Sequence, residues 1–248
     1  MIKILSIGNS FSQDAQRYVK DIAAAGGTDI LLQNLYIGGC PLKTHWENAK
    51  GNAAEYMLEE NGADTGRRVS IAQALSSDTW DYVTMQQASH DSGFAETYEP
   101  YLTELCGYVR GLAPNAEQVL HQTWAYEYNS THDGFVAYGK SQSLMHAALA
   151  DAYSRAAQAH RLRVIPSGEL IARLRTLPEF NAENGGQSLC RDGFHLHETV
   201  GRYAVGALWY CFFTGKAIET SNFSPASPSP LDPLIERIRA TLQDFMRG

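Results

Sequence analysis

The chain opens on a short, mostly apolar run at positions 2–7 that stops at Gly8, which reads as a strand buried in a sheet. Positions 12–25 read as a helix closed by Gly26-Gly27. The alternation continues along the chain. Further strands are expected at 30–37, 80–85, 118–123 and 163–166, and further helices at 97–112, 138–160, 169–177, 199–214 and 231–246. The stretch 44–77 reads as helices and loops without clear boundaries. Five strands alternating with helices imply an α/β fold with a parallel sheet covered on both faces. No repeat or boundary interrupts the pattern. One domain is therefore expected over 1–248, with 221–230 an exposed Ser/Pro-rich connection and 231–246 a terminal amphipathic helix.

In a sheet of this kind the site lies at the carboxyl ends of the strands. Those ends carry Gly8-Asn9-Ser10, Gly38-Gly39, Gln86-Gln87 and Gln122-Thr123-Trp124. Polar residues and glycines thus collect where the fold would put chemistry.

Composition narrows the classes. A length of 248 residues suits one α/β domain with a full core. A net charge of −7 with no basic stripe disfavours nucleic acid and anionic membrane as partners. No apolar run approaches the ~20 residues of a membrane span. The N-terminus shows no basic segment, longer apolar stretch and cleavage site in order, so a cytoplasmic location is expected, or a secreted one if a leader has been removed. Cys40, Cys106, Cys190 and Cys211 are scattered, with no Cys-x-x-Cys pair. They suit buried free thiols better than a disulfide framework or a zinc site.

The candidate chemistry begins with Asp192-Gly193-Phe194-His195. An acid and a base three apart on a helical turn share a face, so the carboxylate reaches the near ring nitrogen. A serine hydroxyl needs such a pair to become a nucleophile, and Ser10 sits on the first strand-to-helix turn. The N–H groups of Ser10 and Gly39, with the amide of Gln86 or Gln87, could hold an oxyanion. Taken alone, each of these also has an ordinary reading. Asn9, Ser10 or Ser12 could simply cap the helix, Gly39 could be a turn glycine, and His195 a surface residue with Asp192 as a cap. His197 competes with His195, but an i, i+2 pair without a third ligand makes a poor zinc site. Trp124, Tyr126 and Tyr128 follow the fourth strand and could line a sugar-binding rim, or simply pack. Gly134 to Ser141 matches the phosphate-loop pattern, yet polar turn formers precede it and its interior is bulky.

With these blocks in this order, the chain resembles the SGNH (GDSL-like) hydrolase superfamily. Gly8-Asn9-Ser10-Phe11-Ser12 resembles the first block, with Asn9 where many members have Asp. Gly39 resembles the second, and Asp192 with His195 the last. Gly201-x-Tyr203 is similar to a branch of uncharacterised bacterial members. The third block departs from the family's Gly-x-Asn-Asp and reads Gln86-Gln87-Ala88-Ser89-His90-Asp91. Some carbohydrate-esterase branches use Gln there, which implies Gln86 or Gln87 in the Asn's place. Counting straight along the strand puts His90 at that position instead. The resemblance implies a flavodoxin-like three-layer α/β/α sandwich on a five-stranded parallel sheet, and ester hydrolysis with no metal or other cofactor. The expected partner is a small-molecule or glycan ester, an acetylated carbohydrate above all. Two rival expectations stand beside it: an inactive glycan-binding protein on the same fold, and a nucleotide binder at 134–141.

Overall fold

The structure is a computed structural model. It describes residues 1–247 and is built on one sheet of seven strands. These are β1 (Ile2–Gly8), β2 (Ile30–Tyr36), β3 (Tyr56–Glu60), β4 (Ala63–Val69), β5 (Tyr82–Met85), β6 (Glu117–His121) and β7 (Arg163–Ile165), in the order β4-β3-β2-β1-β5-β6-β7. The five strands from β2 to β7 through β1 run parallel, and β3 and β4 add an antiparallel hairpin at one edge. Taken alone, the parallel strands have the flavodoxin-like order, with its reversal at β1. β1 is central and its last five residues are buried, as its unbroken apolar run requires.

The helices are α1 (Ser10–Gln16), α2 (Val19–Ala25), α3 (Leu42–Gly51), α4 (Ile71–Leu75), α5 (Tyr101–Leu112), α6 (Gln142–His160), α7 (Ser167–Arg175), α8 (Val200–Thr214) and α9 (Asp232–Arg247). On one face α1 and α2 pack against α8, with α9 outside it; α3, α4 and α5 pack together on the other. Helix α8 is apolar nearly all round and is buried along most of its length between the sheet and its neighbours. The four cysteines are free and buried.

Two expectations need correction. The sheet has seven strands, not five, because part of 44–77 forms the β3–β4 hairpin. The missed signal is Asn61-Gly62 between the two strands. Both residues take positive φ (52° and 80°), as a tight two-residue hairpin turn demands. Six of the seven residues of β4 are exposed, so no period-2 pattern announces it. The helix expected at 12–25 is two helices, α1 and α2, broken near Arg17 and Tyr18.

Candidate active site

β1 delivers the chain to Asn9, whose extended backbone caps α1. Asn9 Oδ1 accepts the Phe11 N–H at 3.0 Å, and Ser12 Oγ accepts the Asn9 N–H at 3.0 Å. Capping therefore falls to Asn9 and Ser12, and the Ser10 hydroxyl is left free at the first helical position. Ser10 Oγ lies 2.9 Å from His195 Nε2, and His195 Nδ1 lies 2.7 Å from Asp192 Oδ2. Asp192 Oδ1 also accepts the backbone N–H groups of His195 (2.7 Å) and Phe194 (3.1 Å). Burial would raise the Asp192 pKa. The hydrogen bonds from the His195 ring and from the two backbone groups outweigh it and hold the carboxyl below its usual range. An ionised carboxylate only accepts, so Nδ1 carries the ring proton and Nε2 turns a lone pair to Ser10.

The Asp192–His195 segment is not a helical turn, as expected from its spacing, but a bent loop closed by a bridge between Cys190 and Leu196. Gly193 has φ +85°, and a Cβ there would lie 2.7 Å from Ser130 Cα. The loop is pinned from below by Asp14, fully buried and one turn after Ser10 on α1. Asp14 accepts the Leu196 N–H at 2.8 Å, Arg202 Nε at 2.8 Å and Arg191 Nη1 at 3.1 Å. From the side, Trp124 Nε1 donates to the Phe194 carbonyl at 2.7 Å, and the Glu127 N–H donates to the Gly193 carbonyl at 2.7 Å. Asp14 and Glu127 had not been singled out in the sequence. Asp14 carried one usable signal, an acid four residues after the candidate nucleophile, which puts both on one helix face.

The second turn is tied to the first, since Asn9 Nδ2 donates to the Cys40 carbonyl at 3.2 Å. Among the described residues the N–H groups of Ser10 and Gly39 have no acceptor. Gly39 has φ +62°, and a Cβ there would touch nothing, so backbone conformation and not crowding asks for glycine. The two glutamines part company. Gln87 donates to the Thr97 carbonyl and hydroxyl, and accepts from the Leu42 and Ala88 N–H groups, which leaves it no hydrogen for a substrate. Gln86 spends one amide hydrogen on Asn9 Oδ1 at 2.6 Å, and its carbonyl faces His121 Nδ1 at 2.7 Å. His121 Nε2 in turn meets the Ser167 hydroxyl at 3.1 Å. His90 stands apart from this chain, half-buried beside His132.

The aromatic rim requires correction. Trp124 and Tyr126 are fully buried, and only Tyr128 is exposed. Trp124 stacks on Phe11 with centroids 4.2 Å apart, and Tyr126 bonds Ser89 through its hydroxyl. Neither can line a substrate rim. Trp124→Phe is accordingly expected to lower stability by about 1–2 kcal/mol, through the orphaned Phe194 carbonyl, in a urea melt. The segment Gly134–Ser141 forms no phosphate cradle. Its Phe135 and Tyr138 side chains are buried, and the N–H groups of Phe135, Gly139, Lys140 and Ser141 are spent on local turns. Among the described residues no group of three or more His, Cys, Asp or Glu is placed to hold a metal ion, and no helix is long and apolar enough to cross a membrane.

Burial pushes His121 and His45 down to about 3. An unfolded imidazole titrates near 6.5, so below that the unfolded chain takes up protons that the native chain refuses. Stability should then fall as pH drops through the window between about 6.5 and 3. From pH 7.5 to 5.5 the two rings should together remove about 3 kcal/mol. His132 and His197 are also lowered, chiefly by burial, and add in the same direction. Burial raises Glu59, which opposes them. Denaturant melts at the two pH values measure the net slope, and a flat result would refute it.

Residues 3–238 match the model of a domain of unknown function, DUF4886. A DUF4886 family protein from Bacteroides uniformis, solved as a crystal structure, is 34% identical. It superposes with a TM-score of 0.90, covering 99% of this chain and 94% of that one. A protein from Slackia heliotrinireducens, provisionally described as an SGNH hydrolase, is 21% identical with a TM-score of 0.58, over 84% of this chain and 97% of that one. A lipase/acylhydrolase from Enterococcus faecalis is 17% identical with a TM-score of 0.54, over 87% and 96%. At these identities the last two show the shared fold, which is that of SGNH hydrolases. No curated protein matches the chain.

Proposed function

The chain belongs to the DUF4886 family, and from its site we propose that it is a serine esterase that hydrolyses O-acyl esters through an acyl-enzyme. One observation carries this reading: the unbroken run from Ser10 Oγ to His195 Nε2 at 2.9 Å and from His195 Nδ1 to Asp192 at 2.7 Å. Ser10 attacks the ester carbonyl while His195 takes its proton. Asp192 holds the ring tautomer and stabilises the imidazolium. The N–H groups of Ser10 and Gly39 hold the oxyanion, with the second amide hydrogen of Gln86 as the third donor. His195 then protonates the leaving alcohol and activates the water that frees the acid.

We further propose that the acyl group is short. Asp192 is 40% exposed and His195 21%, so the acid–base pair works at the surface. The cavities between α8 and α9 and between α6 and α7 are lined by residues away from Ser10. An enzyme with an acyl pocket gains about 0.8 kcal/mol, roughly fourfold, per methylene buried. Here kcat/KM on 4-nitrophenyl esters should not rise from acetate to butyrate to octanoate. A steady rise along the series would overturn the short-acyl assignment.

The reaction type is tested separately. An alkyl fluorophosphonate should attach once per chain, at Ser10, by peptide mass spectrometry. Labelling elsewhere, or none under conditions that label a control serine esterase, would refute the nucleophile.

A further inference from the structure

Beyond the triad, a row of half-buried rings leaves His195. Phe194 lies against it with centroids 4.2 Å apart, His132 meets Phe194 edge-on at 4.9 Å, and His90 stacks on His132 at 5.9 Å with planes 20° apart. We propose that Phe194, His132 and His90 form a subsite for the alcohol side of the ester, and that it takes a neutral, hydroxylated ring, that is, a carbohydrate. The proposal rests on the esterase reading above.

The rings are fixed in place before any ligand arrives. His132 is backed by the buried Tyr126 ring at 4.9 Å, and its Nδ1 accepts the Gly134 N–H at 3.0 Å. The His90 carbonyl accepts from the Tyr138 hydroxyl at 2.9 Å. Gly134 packs so closely on His90 that a Cβ there would lie 2.5 Å from His90 Cβ. Rigid rings bind with little loss of conformational entropy.

The polar edges choose the ligand. With Nδ1 accepting, a neutral His132 carries its proton on Nε2, and that N–H has no partner among the described residues. Burial first, and then the His90 ring, push its pKa down, while Asp133 and Asp192 act the other way; the ring is neutral at neutral pH. His90 Nε2 lies 3.6 Å from Asp91 Oδ2, too far for a hydrogen bond, so its edge is also available. A sugar presents C–H groups to a ring face and hydroxyls to ring edges, and this row offers both. Asp91, Asp133 and Asp192 stand around the imidazoles and would repel a phosphorylated or carboxylated alcohol. A lipid alcohol would leave the imidazole edges unpaired.

The test compares mono-O-acetylated methyl xyloside and methyl glucoside with ethyl acetate, whose alcohol has neither a ring nor further hydroxyls to offer the row. Wild type should favour at least one sugar ester, and His132→Phe and His90→Ala should each lower that preference about tenfold, mainly through KM. His132→Phe keeps a ring while removing the Nε2–H together with the Nδ1 acceptor of the Gly134 N–H, and His90→Ala, which leaves that bond in place, separates the two effects. An unchanged ratio in both variants, or no preference in wild type, overturns the subsite. If wild type cleaves none of the three esters, the esterase reading fails by itself. The subsite is then read from binding of the two unacetylated glycosides by saturation-transfer NMR. Signals lost in His132→Phe support it, and no signal in wild type overturns it.

Discussion

Ser10→Ala should lower kcat for 4-nitrophenyl acetate by about 10³-fold or more, with an unchanged melting temperature. The magnitude is that of removing a nucleophile that acts as one unit with its base. The stability expectation is local. Among the described residues the Ser10 hydroxyl bonds only His195, and the cap of α1 is made by Asn9 and Ser12. His195→Ala should cost about as much, and the double variant little more, because either loss already disables the same step. The residual rate would come from the oxyanion donors and binding. A Ser10→Ala enzyme within a few-fold of wild type would show that the geometry at this turn is not what cleaves the ester.

Asp14→Ala should be the most damaging change outside the triad. The carboxylate has no exposure and is met by Arg191, Arg202 and the Leu196 N–H. Alanine leaves the Arg202 guanidinium and the buried Leu196 N–H without an acceptor, and Arg191 with the Leu196 carbonyl alone. Breaking a buried pair from one side costs about 3 kcal/mol or more. Both arginines keep some exposure, 30% and 19%, so the low end applies. Asp14→Asn is the more telling variant, because it keeps the volume and one acceptor. Leu196 follows His195 directly, so a slack anchor lets the imidazole drift from Ser10. A shift of 1 Å costs on the order of 10²-fold in rate. The expected signature is a fall in kcat per folded molecule, with KM little changed, at a temperature where circular dichroism shows the variant folded. If kcat per folded molecule stays at the wild-type value, Asp14 supports stability alone and has no part in positioning the base.

The parallel part of the sheet was legible because its strands are buried on both faces. An apolar run such as Ile4, Leu5 and Ile7 has no other stable use. The β3–β4 hairpin was not, since an exposed edge strand such as Ala63–Val69 carries Arg67, Arg68 and Asp64 outward and shows no period. Ser10, Asp192 and His195 were singled out by residue type and spacing, and the structure brings their side chains together. The Asp–His spacing suits a helical turn, but here a loop with one positive-φ glycine makes the same contact. Gln87 and Gln86 could not be separated in sequence, since what divides them is which loop each amide meets. Trp124 and Tyr126 misled for a similar reason. An aromatic after a strand looks the same whether it faces solvent or props up a loop from beneath.

The four buried thiols make the molecule its own reporter. Burial pushes Cys40, Cys190 and Cys211 up to about 12 and Cys106 to about 11, so almost no thiolate exists in the native state at pH 8. A thiol reagent can then react only when its segment opens. Cys40 follows the Gly39 turn, Cys190 closes the Asp192–His195 loop, and Cys106 and Cys211 lie inside α5 and α8. The order in which alkylation reaches them, resolved peptide by peptide, is therefore a clock for local breathing. It separates motion of the two reacting turns from motion of the scaffold, with no residue introduced for the purpose.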